Sequence, residues 1–181
     1  MSSDYLDSSE RKMLELHARR KIYETVQKSA GCHFREIERR SGLSAGSVRY
    51  HLGYLSKHGL LKEEKQQGNI RYFPRSFVSE HTKLLSILRQ KSMRDILLFI
   101  LMHDPCSHEQ IARAVSLAPS TVSWHVKKMS EHRIIRERKE GRKTMCTLSV
   151  KKEDIMNLLI TYKESFVDTL VNNIVEMWET E

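Results

Sequence analysis

Arg49, Lys127 and Lys128 stand beside Tyr50 and Trp124 in two stretches that also hold Ser44, Gly46, Ser47, Ser120, Thr121 and Ser123. That mixture suits recognition of a polyanion. Cations pair with phosphates, and small hydroxyl residues at a helix start let backbone N–H groups approach them. Aromatic faces can take sugars or thymine methyls. Catalytic patterns are missing: the sequence has no glycine-rich phosphate loop, no zinc-protease histidine pair and no nucleophile elbow. The expectation is a non-enzyme that uses no cofactor.

Nine histidines and the cysteines Cys32, Cys106 and Cys146 raise the question of a metal. His103, Cys106 and His108 are close in sequence, and Cys32-His33 lies in a matching stretch. A zinc site needs three or four ligands with outer support. A small buried residue closing a turn explains Cys32 and Cys106 together, so no metal is expected. His51 and His125 lie about 60° from an apolar stripe and read as packing residues. An odd, sparse cysteine set does not make a disulfide framework and fits a reducing cytoplasm.

These residues are organised by an internal repeat. A shift of 74 residues brings 30–66 onto 104–140 without a gap. Identities include Cys32/Cys106, Ile37/Ile111, Leu43/Leu117, Val48/Val122, His51/His125 and His58/His132, and Tyr50 meets Trp124. Each copy reads as three helices, over 9–29, 33–41 and 45–58, then over 92–103, 107–115 and 119–132. Ser92 with Asp95 reads as a capping box. Ser44 suits a cap, and Pro119 suits a first-turn position. Copy two departs from copy one at Ala118, where a capping Ser is usual, and at Arg133, which replaces the better left-handed residue Gly59.

At 100° per residue the third helix sets Val48, Leu52 and Leu55 on one stripe, and Val122, Val126 and Met129 on its counterpart. The opposite arc carries Gly46, Ser47, Arg49, Tyr50, Gly53 and Tyr54, then Ser120, Thr121, Ser123, Trp124, Lys127 and Lys128. Two strand-like segments follow each third helix, at 60–65 and 70–73, then at 134–139 and 144–148. They are joined by 66–69 and 140–143, each with a glycine that suits a hairpin tip. Gln67, Asn69 and Arg71, then Arg142 and Lys143, read as polar and basic wing residues. Three helices closed by a β-hairpin is the winged helix arrangement. The fold class is mainly α with small β-hairpin wings: two tandem winged helix-turn-helix domains plus a long C-terminal helix.

Charge agrees with this division. The net charge is +8. The charged residues of 1–10 are all acidic (Asp4, Asp7 and Glu10), and 151–181 hold more acids than lysines, so the body between them is strongly basic. A polyanionic partner suits that body. The start of the chain is polar and acidic, unlike a signal peptide. The apolar run 96–102 is too short to span a bilayer. A cytoplasmic, nucleoid-associated protein with no membrane contact is expected.

The domain reading is 1–76 for the first winged unit, 77–91 for a connecting helix, 92–150 for the second unit and 151–181 for a C-terminal helix. Ile155, Leu158, Leu159, Tyr162, Phe166, Leu170, Ile174 and Met177 recur at helical steps. They read as a surface for a homodimer, with packing onto the same chain as the other reading.

The segments Ser47-Val48-Arg49-Tyr50-His51-Leu52 and Leu117-Ala118-Pro119-Ser120-Thr121-Val122-Ser123-Trp124-His125-Val126 resemble the winged helix core of prokaryotic regulators. They are most similar to archaeal-type transcriptional regulators with two tandem winged helix-turn-helix domains, near the ArsR/MarR superfamily. The resemblance covers about 18–150. It implies sequence-specific binding of double-stranded DNA by both recognition helices and wings. Two alternatives stay open: an adaptor that recruits a transcription-machinery protein through Tyr50 and Trp124, and a metal- or thiol-responsive sensor-repressor.

Overall fold

A computed structural model of the chain describes residues 6–66 and 68–166. The chain divides into two compact units, Met1–Val78 and Ser79–Glu181. In the first, α1 is Ser8–Met13, α2 is His17–Lys28, β1 is Cys32–His33, α3 is Phe34–Ser41 and α4 is Ala45–Lys57. The strands β2 (Leu61–Gln66) and β3 (Asn69–Pro74) complete it. The second unit opens with a 3₁₀ turn, Ser79–His81, and α5, Thr82–Leu88. It continues with α6 (Lys91–Met102), β4 (Cys106–Ser107), α7 (His108–Val115), α8 (Pro119–Glu131), β5 (Ile135–Glu140), β6 (Lys143–Leu148) and α9 (Lys152–Thr161), before a 3₁₀ turn at Lys163–Ser165.

The repeat runs further than residue identities show. Every element from α2 to β3 returns, with the same bounds, 74 residues later as α6 to β6. Each unit forms a three-stranded antiparallel sheet, in the orders β1-β3-β2 and β4-β6-β5. The short strands β1 and β4 are not apparent in the sequence, because two residues carry no periodicity. Cys32 pairs with Tyr72 and Cys106 with Cys146 across these strands. Both cysteines therefore lie in sheet edges packed on the core rather than in loose turns. Pairing also continues to Gln66↔Asn69 and Glu140↔Lys143. The connections are two-residue tips rather than the longer joins expected. Gly141 takes φ +61° at the first tip position, where a glycine suits a type II′ turn.

Core packing explains the helix faces. Val48, Leu52 and Leu55 of α4 are buried with Ile22, Val26 and Ile37. Val122, Val126 and Met129 of α8 are buried likewise, as are Ile96, Leu97, Ile100 and Ile111. Both α4 and α8 end in the same doubly bonded motif. Leu60 N–H donates to Leu55 O at 2.9 Å and Gly59 N–H to Ser56 O at 3.0 Å. Ile134 N–H donates to Met129 O at 3.0 Å and Arg133 N–H to Ser130 O at 2.9 Å. This motif requires a left-handed residue, so Arg133 is driven to φ +58° where Gly59 takes +68°.

That difference gives a stability prediction. Arg133→Gly relieves about 1–2 kcal/mol of left-handed strain and adds roughly 0.5–1 kcal/mol of unfolded-state freedom, so it raises stability by up to about 1.5 kcal/mol. At Gly59 nothing lies within 4 Å of an added Cβ. Gly59→Ala therefore loses about 1 kcal/mol from backbone strain alone. Thermal melting of both variants checks the opposite signs, and equal signs would reject the account.

Three expectations need correction. The single helix over 9–29 is two helices, interrupted at 14–16. Leu14 turns into the core there, and an Asp7–Glu10 capping box starts α1. The capping box at Ser92 does not form, because α6 begins at Lys91 after Gln90 and Asp95 pairs with Lys91 at 2.9 Å. The connecting helix starts at Thr82 rather than Phe77. Phe77 packs instead on Phe73, with ring centroids 4.7 Å apart, and its carbonyl accepts from Lys62 Nζ at 2.8 Å. Among the described residues α9 ends at Thr161 with Tyr162 as its C-cap, and the expected continuation from 167 to 181 lies outside them.

The stripe expected to pair with a second subunit is buried within the second unit at Ile155, Leu158, Leu159, Tyr162 and Phe166. Arg94 lies with its guanidinium 5.6 Å from the Phe166 ring and donates to Leu88 O at 2.7 Å. Leu170, Ile174 and Met177 lie outside the described residues. Among the described residues, no helix is long and apolar enough to cross a membrane.

Candidate nucleic-acid interface

Helices α4 and α8 hold the predicted residues on matching surfaces. Ser47 N–H donates to Ser44 Oγ at 3.4 Å, so a side chain caps α4. Ala118 cannot cap, and α8 has no side-chain cap bond. Its first turn, with Ser120 exposed and Thr121 half-buried, keeps backbone donors for an outside acceptor. Tyr50 is 64% exposed and Trp124 58%. Leaving such large apolar surface in water is unfavourable, so a matched pair of exposed rings points to a partner.

Both rings sit on the same support. Tyr50 meets His51 edge-on at 5.0 Å and 73°, and Trp124 meets His125 at 5.0 Å and 70°. His51 is buried and His125 half-buried. The Nδ1 atoms of both meet no hydrogen-bond partner among the described residues. Burial is the first cause that lowers both imidazole pKa values, with Arg19 adding to the effect on His51 and Lys128 on His125. The packing role read from sequence fits this environment.

A pH dependence follows. The folded-state pKa of each ring lies below its unfolded value, so on acidification the unfolded chain takes up protons first. The stability these rings contribute is complete above about pH 6.5 and is lost as pH falls through the window beneath it. A His51→Phe/His125→Phe protein should show a flatter melting temperature than the wild type between about pH 7 and pH 5. Parallel profiles would reject this origin.

The remaining predicted residues divide into two groups. Arg49, Ser123 and Lys127 are exposed on the arcs, as are Gly46 and Ser44, with Ser47 half-buried. Arg49 is steadied by the Phe34 ring, 5.7 Å from its guanidinium. On the wings Asn69, Arg142 and Lys143 are exposed. Three others are engaged within their own unit. Tyr54 is half-buried under Arg19, 3.6 Å from its ring centroid, and stacks on His58 at 4.3 Å. Arg71 donates to Gly31 O at 2.8 Å and helps close the β1 edge. Lys128 Nζ lies 5.1 Å from the Trp124 ring centroid, a cation–π contact that leaves the ring partly covered.

Sequence reasoning weighed His108 only as a metal ligand and missed its contacts with Glu137 and Ser123. His108 Nε2 lies 2.9 Å from Glu137 Oε1, and its Nδ1 lies 3.4 Å from Ser123 Oγ. The only available signal was that the repeat places His108 opposite Phe34, which supports Arg49. The cysteines offer no exposed thiol. Burial pushes Cys106 up to about 11 and Cys146 up to about 12, so both stay protonated and unreactive at neutral pH. Among the described residues, no group of three or more His, Cys, Asp or Glu is placed to hold a metal ion.

A family model described as an N-terminal HTH domain matches residues 16–85, and one described as winged helix-turn-helix DNA-binding matches residues 83–136. The HTH-type transcriptional regulator MJ1398 of Methanocaldococcus jannaschii is 28% identical over 132 residues, 73% of this chain. The chain spans 33% of that relative's length. Among solved structures, HlyU from Vibrio cholerae is 20% identical with a TM-score of 0.41, over 48% of this chain and 91% of its own. Overoxidized AbfR bound to DNA is 16% identical with a TM-score of 0.39, over 56% and 77%. An ArsR family transcriptional regulator is 20% identical with a TM-score of 0.36, over 59% and 97%. The chain thus carries two tandem winged helix-turn-helix domains, the second matching a DNA-binding family, and is a homologue of an archaeal HTH-type transcriptional regulator.

Proposed function

We propose that the chain is a sequence-specific regulator of transcription that binds double-stranded DNA through α4, α8 and both wings. The observation that carries this reading is the matched pair of exposed aromatics, Tyr50 and Trp124, on equivalent helices with the same histidine support. Each ring is flanked by hydroxyl and basic residues. A helix of this kind fits the major groove, where side chains reach base edges and the wing tips reach the backbone. Ser44, Gly46, Ser47, Arg49 and Tyr50, with Asn69, form the first contact set. Ser120, Thr121, Ser123, Trp124 and Lys127, with Arg142 and Lys143, form the second. Tyr54, Arg71 and Lys128 support their neighbours. Such a protein acts at the nucleoid, in the cytoplasm.

Selection of duplexes from random sequence tests the reading. An enriched motif is expected, with affinity that falls steeply as salt rises. Binding without any enriched motif would reject sequence-specific regulation. Retention of a protein partner in the absence of DNA binding would favour the adaptor role.

A homodimer is proposed only on the apolar positions Leu170, Ile174 and Met177, since the earlier part of the stripe is buried in the second unit. Sedimentation of the full chain should give twice the chain mass. A chain ending at Phe166 should sediment as a monomer if those positions make the interface.

A further inference from the structure

In the second unit a chain of hydrogen bonds runs from the recognition helix to the wing. Ser123 on α8 faces His108 at the start of α7, and His108 faces Glu137 on β5. An ionised carboxylate only accepts, so the 2.9 Å contact places the proton on His108 Nε2. In a neutral ring Nδ1 is then an acceptor. The donor beside it, at 3.4 Å, is the Ser123 hydroxyl. With its hydrogen turned to the ring, the exposed Ser123 oxygen presents only lone pairs outward.

We propose that His108 is a positioning residue that makes Ser123 a hydrogen-bond acceptor toward the bound nucleic acid. The proposal rests on the DNA-binding reading. An outward acceptor pairs with the amino groups of adenine N6 or cytosine N4 in the major groove. It opposes phosphate oxygens and the acceptor edge of guanine. Protonation of His108 reverses the bond: Nδ1–H donates to Ser123, whose own hydrogen is released to donate outward. The second unit thus carries a base preference that depends on the ring's charge.

The groups that face this ring are few among the described residues. Glu137 approaches from β5 and Ser123 from α8. On its own helix Glu109 pairs with Arg113, and Ser107 is tied to Gln110 in a capping box. Lys128 of α8 lies over Trp124, and Lys127 is exposed. Cys146, opposite Glu137 in the sheet, stays protonated. The first unit has Phe34 and Arg49 at the equivalent positions and so has no such device, which supplies an internal control.

The test uses the full chain and two variants. Glu137→Gln replaces the acceptor with an amide that no longer fixes the tautomer. His108→Phe installs the residue that the first unit already accommodates. Without DNA, ¹⁵N shifts of the His108 ring at about pH 8 should show the Nε2–H tautomer. A main Nδ1–H form would overturn the proposal. In selection from random duplexes at about pH 8, the wild type should prefer an amino-bearing base at one position under the second unit by roughly ten-fold. Both variants should drop that preference below about three-fold and keep the preferences read by the first unit. Variants that keep the preference would overturn the proposal and leave DNA binding standing. A wild type that enriches no motif would overturn both.

Discussion

Alanine at both Arg49 and Lys127 should lower affinity for the selected duplex roughly a hundred-fold, with about ten-fold from each change. The two residues lie on recognition helices of separate units, so their effects should add. Each is exposed, so removing it leaves the folded state intact, and melting temperatures should stay close to wild type. Lys127 should behave as a phosphate contact, and its loss should reduce the slope of log affinity against log salt by about one. Arg49 is held against Phe34, an arrangement that favours a base edge over a mobile phosphate contact. Its loss should therefore relax preference at one position as well as weaken binding. Lys128→Ala should have a smaller effect on the salt slope, because that ammonium already lies over Trp124. Gel shifts and salt titrations check all three. An unchanged affinity for the double variant would remove the two helices from the interface.

The unequal arcs make this test informative about division of labour. The first unit presents Gly46 and Gly53 with open space around them, so a duplex can approach the α4 backbone closely beside Tyr50. The second presents Ser120 and Lys127 at those repeat positions. If both helices bind DNA as proposed, charge should dominate on α8, and shape and the Arg49 fork on α4.

Much of this was legible because repetition adds evidence that one copy lacks. Val48 and Val122, or Leu55 and Met129, give the same inward stripe twice, and the bounds of the second and third helices of each copy fall within a residue of expectation. Arg133 shows the limit of local propensity: a residue poorly suited to the left-handed region still takes it, because the Leu55-type bond pattern and the buried Ile134 fix the chain there. What was hidden had short range or depended on tertiary neighbours. Strands β1 and β4 are too short for a pattern. The Asp7–Glu10 and Ser107–Gln110 capping boxes did carry a readable spacing, whereas Ser92–Asp95 had the spacing but lost Asp95 to Lys91. Tyr54 and Tyr50 are four apart on one helix, yet Arg19 covers only Tyr54. Periodicity gives the direction of a side chain, while its neighbours decide its exposure. For the same reason the apolar stripe of the tail gave the correct inward face, but its first half, Ile155 to Phe166, is buried within the second unit, where α9 packs on α5.

Ile37→Ala should unfold the first unit at growth temperatures while the second keeps its structure. Ile37 is fully buried between α2 and α4, with Ile22, Val26, Val48 and Leu52 in the same cluster. Truncation of such a side chain removes transfer free energy and leaves a cavity, for a loss of about 2–5 kcal/mol. A unit of this size has a small core, and stability of about 5 kcal/mol is typical at the low end. The loss is therefore comparable to the whole margin. Ile111→Ala is the matched change, since Ile111 is equally buried. The second unit also has α5 and α9 packed on it, with Phe166 buried near Arg94, and these extra layers should let it tolerate the cavity better. Hydrogen exchange on the full chain checks both. Protection should vanish across 17–74 in Ile37→Ala and persist across 91–148. Ile111→Ala should lower protection across 91–148 without abolishing it. Loss of protection in both units from either change would show that neither core stands by itself. Retained protection with Ile37→Ala would show that the α2–α3–α4 cluster carries less of the first unit than its burial implies. If the unit-selective pattern is found, Ile37→Ala becomes a reagent that removes the Tyr50 and Arg49 surface while leaving Trp124 and Lys127 in place. The sites it still selects would then report what the second recognition helix reads alone.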